Sequence, residues 1–258
     1  MVGASKMMDV IACLPKSVKT YWSHVGTKYH RPPAMKEIPL PILIFGASGH
    51  GCVAADAICA SGQYKVAGFA DADGGDKDCE VFGPLLGLDT DLPRILSQHR
   101  INHVFVALGD NWIRHEVVSH LRRTCPGVGF PTLIHPSASV GRNTAISEGA
   151  LICSGAVIGV GASVGAFSII NTRASLDHHA SMGDFTSLAP ASATGGKARI
   201  EEGAAIGMGT MIHHKVTIGA WSVVGSGSVA NRNIPAGSLA FGCPARVIRA
   251  RPRNERYL

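Results

Sequence analysis

The 258 residues are 46% hydrophobic and 16% charged, which excludes a disordered chain, and only 6% are aromatic. The formal net charge of +6 is concentrated in residues 1–40, which carry six Lys or Arg against two acids, so the basic balance does not argue for nucleic-acid binding. Seven scattered cysteines with no CxxC pair read as free thiols in a reducing compartment, the cytoplasm, and no run approaches the ~18 apolar residues of a membrane span.

Residues 1–40 form an extension ending in Arg31-Pro32-Pro33, a linker signal. Two readings stand for it. It is sequence upstream of a natural start at Met35, or a basic, partly amphipathic segment that meets a membrane surface or a partner. No clean signal peptide is read in it, because its apolar stretches are short and broken by Asp9 and Pro15.

Residues 41–130 alternate strand and helix. Ile42-Leu43-Ile44-Phe45 is a short apolar strand, Gly46-Ala47-Ser48-Gly49-His50-Gly51 a glycine-rich turn, and Val53 to Cys59 a helix. A second strand lies near Tyr64–Phe69. A third covers His103 to Leu108 and ends at Gly109-Asp110-Asn111, with a helix expected from Trp112 to Arg123. This alternation predicts a small parallel, Rossmann-like α/β sheet. A strand, a glycine-rich turn and a helix together make a place for an anion, because backbone N–H groups and the helix N-terminus converge there. The spacing departs from GxGxxG, and taken alone it is equally a tight turn with no ligand. Asp71, at the end of the second strand, suits an acidic group that hydrogen-bonds a sugar or base. Ligands of such sheets sit at the carboxyl ends of strands, so three convergent loops favour a small phosphate-bearing ligand.

From Ile134 a six-residue beat runs through Val140, Ile146, Ile152, Ile158, Val164, Ile170 and Leu176 to Ala230. Fifteen of its seventeen positions are Ile, Leu, Val or Met, and sixteen of the seventeen residues two places earlier are Ala, Ser or Thr. A hexapeptide repeat predicts a parallel β-helix. Each unit is a short strand plus a corner, and three units make an 18-residue coil. The beat residue points inward and stacks on its equivalent one coil away. Glycines that follow the beat, such as Gly159, Gly207 and Gly225, are expected where corners need unusual backbone angles. Each coil is buried only by its neighbours, so several are required. After Ala230 the chain continues as an extended tail through Gly242-Cys243-Pro244-Ala245-Arg246.

Asp177-His178-His179 follows the beat residue Leu176, and His213-His214 follows Ile212. His178 and His214 lie two coils apart, roughly 10 Å at the ~4.8 Å strand spacing, too far to share a metal within one chain. Gly196 lies one coil from His178. A histidine beside an exposed backbone N–H suits acyl transfer: the ring takes a proton from the nucleophile and the N–H steadies the oxyanion. A solvated coil surface is the alternative for each histidine, and His213 and His214 keep it.

With these residues in hand, the chain resembles the hexapeptide-repeat sugar acyltransferases, closest to the sialic-acid O-acetyltransferase and UDP-amino-sugar N-acetyltransferase group of the NeuD and PglD type. The resemblance spans roughly residues 41–250. It is carried by the repeats, the Gly46–Gly51 turn, Phe69-Ala70-Asp71, Ala107-Leu108-Gly109-Asp110-Asn111-x-x-Arg114, Asn171-Thr172 with Asp177-His178, and Gly242-Cys243-Pro244-Ala245-Arg246. It implies a left-handed β-helix and a homotrimer with active sites between subunits. It also implies acetyl-CoA along the coil face and a nucleotide-linked or acidic sugar held by the N-terminal domain. His178 matches the general base and Gly196 the oxyanion donor, with Asp177 and Asn171 beside them. Gly49, His50, Gly51, Asp71, Asp110, Asn111 and Arg114 match the substrate side. Ser187, Gly196, Gly207, Gly225, Gly242, Pro244, Ala245 and Arg246 match the cofactor side, and no metal is implied. Two positions depart from the family pattern. The carboxylate that commonly follows the base is His179 here, and a further histidine nine residues after the base is Ser187.

The expected organisation is therefore an extension (1–40), an α/β nucleotide-sugar domain (41–130), a left-handed β-helix (131–235) and a tail (236–258). The expected activity is transfer of acetyl from acetyl-CoA to an amino sugar of a surface glycan, by a cytoplasmic enzyme. The alternatives are a sialic-acid-type O-acetyltransferase, a zinc enzyme resembling γ-class carbonic anhydrases, and a non-catalytic β-helix scaffold.

Overall fold

The computed structural model describes residues 39–257, so the readings made for the N-terminal extension fall outside the described residues. The first sheet has four parallel strands in the order β3-β2-β1-β4: β1 (Leu40–Phe45), β2 (Tyr64–Ala70), β3 (Leu85–Gly87) and β4 (His103–Val106). Helix α1 (Gly49–Ser61) follows β1, α2 (Leu92–His99) precedes β4, and α3 (Asn111–Thr124) follows it. The expectation lacked β3 and α2. One is three residues long and the other a single eight-residue amphipathic helix, too short for a periodic signal to stand out. The central strand β1 is buried on both faces, as parallel strands are. Ile42 and Ile44 pack on α1 and on Leu133, Leu151 and Ile169 of the coils, whereas Leu43 and Phe45 pack on α2, α3, Phe167 and Phe185.

Seventeen two-residue strands follow, from Leu133–Ile134 to Val229–Ala230, and they form three parallel sheets. Register is one coil throughout: Ile152 pairs with Ile170, Ile170 with Leu188, Leu188 with Ile206, and Ile206 with Val224. The beat residues and the small residues two places earlier form one continuous apolar column. Truncating one of these buried Ile or Leu residues to Ala costs about 2–5 kcal/mol, because a coil cannot collapse into the gap.

The corner geometry corrects one expectation. The left-handed backbone falls three residues after the beat, and side chains often occupy it, as at Asn143 (φ 56), His179 (φ 56) and Lys197 (φ 60). The glycine directly after the beat is needed for space. A Cβ on Gly159 would lie 2.5 Å from the backbone N of His178 in the next coil. The expected extended tail is also different. Residues Ser238–Gly242 (β22) and Ala245–Ala250 (β23) form an antiparallel hairpin, and β22 adds to the eight-stranded sheet beside Val223–Val224. Ala240 and Ala245 close the last turn of the apolar column, as a solenoid end requires. Among the described residues, no helix is long and apolar enough to cross a membrane.

Candidate active site

Outward-facing residues of the eight-stranded sheet form a ladder of Leu133, Leu151, Ile169, Ser187, Ala205 and Val223. The α/β sheet covers the first three. Where that cover ends, a cavity of about 560 Å³ opens between the α/β domain, the coils and the C-terminal segment. It gathers His50 and Gly109 from the loops with Asn171, Ser187, Gly207 and Gly225 from the coils. Residues expected on the substrate side and on the cofactor side thus share one space, and Asn171, expected beside the base, lines this cavity, which His178 does not.

The glycine-rich turn is built by close approach. A Cβ on Gly51 would sit 2.3 Å from the Gly46 carbonyl oxygen, so no larger residue allows α1 to start against the turn. Gly49 has open space around it. His50, in the first turn of α1, lines the cavity with Nε2 buried and without a partner. Burial, with the Arg114 cation adding to it, pulls its pKa from 6.5 to about 4, so the ring is neutral at pH 7. A buried polar atom left unpaired costs about 1–3 kcal/mol, which a ligand group in the cavity would recover. Asp71 lies outside the cavity lining. Its Oδ2 accepts the Ala47 N–H at 2.7 Å and its Oδ1 accepts that of Asp73 at 2.9 Å, so it braces the turn. Asp110 caps α3, Oδ1 accepting the N–H groups of Trp112 and Ile113, while its buried Oδ2 has no partner.

Arg114 and Asn111 do not face the cavity. Arg114 is buried, and all five guanidinium N–H donors are used on the Leu108, Gly109, Phe167 and Phe185 carbonyls and on Asn111 Oδ1. Asn111 Nδ2 donates to the Gly203 and Ala204 carbonyls. Together they fasten α3 to the coils, and neither side chain has a donor left for a substrate. Burial lowers the Arg114 pKa to about 10, still well above neutrality. A motif match cannot separate a ligand arginine from a structural one, because both follow the same loop.

His178 sits on a different part of the coil, at the corner between the six-stranded and five-stranded sheets, and does not line the cavity. Its ring lies over Gly196, where an added Cβ would come within 2.2 Å of Nε2. Gly196 is buried beneath it, and its N–H donates to no acceptor among the described residues. Asp177 does not touch the imidazole: its Oδ1 accepts the backbone N–H of His178 at 2.6 Å. The group that meets the ring is His179, with Nδ1 of each 3.2 Å apart. His213 and His214 are exposed one coil beyond Gly196, and no group of three or more His, Cys, Asp or Glu is placed to hold a metal among the described residues. Gly242, Pro244, Ala245 and Arg246 lie at the turn of the C-terminal hairpin, outside the cavity lining. Gly225 does line it, and its missing side chain seats the Phe241 ring.

One wall of the cavity had no counterpart in the sequence reading. The segment after β23 folds back so that Tyr257 reaches Ser187, with its hydroxyl accepting from the Asn111 N–H at 3.2 Å and lying 3.4 Å from the Gly109 carbonyl. Arg251, buried, donates to the Trp221 carbonyl, and Arg253 stacks over Trp112 at 4.6 Å. A short polar tail has no periodicity to announce this packing.

Residues 41–121 match the PglD N-terminal domain model, and residues 197–232 match the bacterial transferase hexapeptide model of six repeats. The GDP-perosamine N-acetyltransferase of Escherichia coli O157:H7 is 32% identical over 154 residues, covering 58% of this chain and 69% of that protein. This chain belongs to the hexapeptide-repeat sugar acetyltransferases of the NeuD and PglD type. Three further curated relatives are similar only locally, over 11–27% of their own length. The bifunctional protein GlmU of Rubrobacter xylanophilus is 53% identical over 53 residues, and the match spans 11% of its length. Among solved structures, a histidine-to-alanine variant of GDP-perosamine N-acetyl transferase from Caulobacter crescentus, in complex with CoA and GDP-perosamine, has a TM-score of 0.75 at 34% identity, covering 80% of this chain and 96% of that one. The acetyltransferase domain of PglB from Neisseria gonorrhoeae, in complex with acetyl coenzyme A, has a TM-score of 0.74 at 30% identity, covering 81% of this chain and 100% of that one. The fold is an α/β domain followed by a left-handed β-helix, the parallel coils being expected from the repeats and their hand from the family resemblance.

Proposed function

We propose that this chain transfers the acetyl group of acetyl-CoA to the amino group of a nucleotide-linked amino sugar, a step in surface glycan synthesis. The observation that carries the reading is the His178 ring lying over Gly196, whose N–H has no acceptor among the described residues. The sugar amine attacks the thioester carbonyl, and Nε2 of His178 takes the proton the amine loses. The Gly196 N–H donates to the tetrahedral oxyanion. Collapse breaks the C–S bond, and the thiolate recovers the proton from His178, leaving the acetamido sugar and CoA. A positioned base supplies about 10²–10⁴ in rate and an oxyanion donor about 10²–10³. No covalent enzyme intermediate is involved.

His50 and the Gly109 loop hold the nucleotide-sugar end, with the coil residues Asn171, Ser187 and Gly207 toward acetyl-CoA. The relatives solved with CoA, acetyl-CoA or GDP-perosamine bound support both ligand classes. His178 and the cavity occupy different faces of one coil stack, which supports a site completed by a second copy of the chain, in the homotrimer that the family resemblance implies. Both co-substrates are metabolites of the cytoplasm, which is where the enzyme acts.

Replacing His178 with Ala lowers kcat by at least about 10²-fold while acetyl-CoA binding and assembly are retained. Turnover of GDP-perosamine, of a dTDP-3-amino-3,6-dideoxyhexose and of UDP-linked amino sugars, followed by CoA release, tests both the acceptor class and the base. Near-normal turnover in that variant would rule out His178.

A further inference from the structure

We infer that His179 is a positioning residue for His178, so that a pair of imidazoles does here what a histidine and a carboxylate do elsewhere. The inference rests on His178 being the base. With Nε2 of His178 toward Gly196, its Nδ1 faces Nδ1 of His179 at 3.2 Å, and the two rings are inclined at 83°. Two ring nitrogens at this distance bond only when one carries the proton and the other a free lone pair. For His178 to accept a proton at Nε2, its own proton must be on Nδ1, and that N–H must be the donor. His179 must then be neutral, with Nδ1 bare and its proton on Nε2. Each ring thus fixes the tautomer of the other.

The corner holds His179 for this task. Its backbone is left-handed, its N–H donates to the Val160 carbonyl at 3.0 Å, and its ring lies over Gly161, where an added Cβ would come within 3.0 Å. The surroundings contain few charges. By register, Val160 and Gly161 flank the pair in one neighbouring coil, and Gly196 and Lys197 in the other. Arg142 lies two coils away on one side, and His214 and Lys215 two coils away on the other. Among the described residues Asp177 is the one carboxylate beside the pair, and its Oδ1 accepts the backbone N–H of His178.

The chemical consequence differs from that of a carboxylate partner. A carboxylate keeps its charge and stabilises the imidazolium that forms on His178. A second imidazole accepts the Nδ1 hydrogen bond but adds no negative charge. Protonating His179 removes the acceptor, and with His178 also protonated it would place two cations side by side. His179 therefore orients the base through a neutral acceptor and supplies no negative charge beside it.

Three variants test this. Ala already holds a left-handed corner at Ala191 (φ 58), so His179→Ala keeps the backbone, and His179→Asn serves if it does not, since Asn143 (φ 56) occupies the same register. His179→Ala lowers kcat on the order of 10- to 100-fold with little change in KM. His179→Glu restores kcat toward that of the parent and moves the acid midpoint of kcat/KM to higher pH by about one unit or more, because the new carboxylate favours the imidazolium. A readout free of turnover is the imidazole ¹⁵N–¹H spectrum, in which His178 carries its proton on Nδ1 in the parent and shifts toward Nε2 in His179→Ala. An unchanged tautomer and unchanged pH profiles, with His178→Ala inactive, overturn the pairing alone. Full turnover in His178→Ala overturns the base assignment instead.

Discussion

His50 shows how far one buried atom can govern behaviour. Its Nε2 is sealed from solvent and unpartnered, and burial holds its pKa near 4 against 6.5 in an open chain. Because the folded-state value is depressed, the unfolded chain binds the extra proton first. Stability from the neutral ring is complete above pH 6.5 and is lost as pH falls towards 4. The loss from this group is about 2 kcal/mol between pH 7 and pH 5, and about 3 kcal/mol by pH 4. Urea unfolding of the parent and of His50→Phe at these pH values checks it: the variant shows a shallower decline. At the same scale, the His178–Gly196 contact was readable by counting one 18-residue coil along the sequence. The partner of His178 was not readable. Its ring could have met Asp177 or His179, and only the direction of each side chain at a left-handed corner decided between them.

Helix α3 carries the clearest division between pattern and packing. Its place after β4 could be read from the sequence, because a strand end and a helical stretch occur in order, whereas Asp110, expected on the substrate side, proved to cap the helix with Oδ1. The task of Arg114 could not. It reaches across to carbonyls of Phe167 and Phe185, 53 and 71 residues away, and bonds that distant leave no local trace. Replacing Arg114 with Met leaves buried carbonyls without donors and costs on the order of 3 kcal/mol. A thermal midpoint lower by about 10 °C, with the His178 tautomer unaltered, is the expected measurement for a domain of this size. A change in acceptor KM without loss of stability would return Arg114 to the substrate.

The molecule as a whole closes its cavity with its C-terminal segment. Arg249 pairs with Glu255, Arg251 anchors on Trp221, and Tyr257 ends between Ser187 and the Gly109 loop. Burial pushes the Tyr257 phenol up from its usual value, so it stays protonated and able to donate at neutral pH. Deleting residues 252–258, or the change Tyr257→Ala, opens that wall. Acceptor KM is expected to rise about tenfold, equivalent to ~1.4 kcal/mol, with acetyl-CoA binding little changed. Steady-state kinetics with each co-substrate varied in turn reads the difference, and a fall in acceptor KM would instead mark the segment as a plug.

The sequence by itself determined the coil architecture, because a six-residue period admits one burial pattern and each residue's neighbours are set by counting. It also determined the existence of the glycine-rich turn and of the α/β unit, whose signals are local. The tertiary structure decided which of the motif residues face the cavity, which carbonyls hold Arg114, what His178 rests against, and that the tail forms a wall. Those outcomes depend on side-chain direction and on contacts between segments far apart in the chain, and neither leaves a period or a spacing behind.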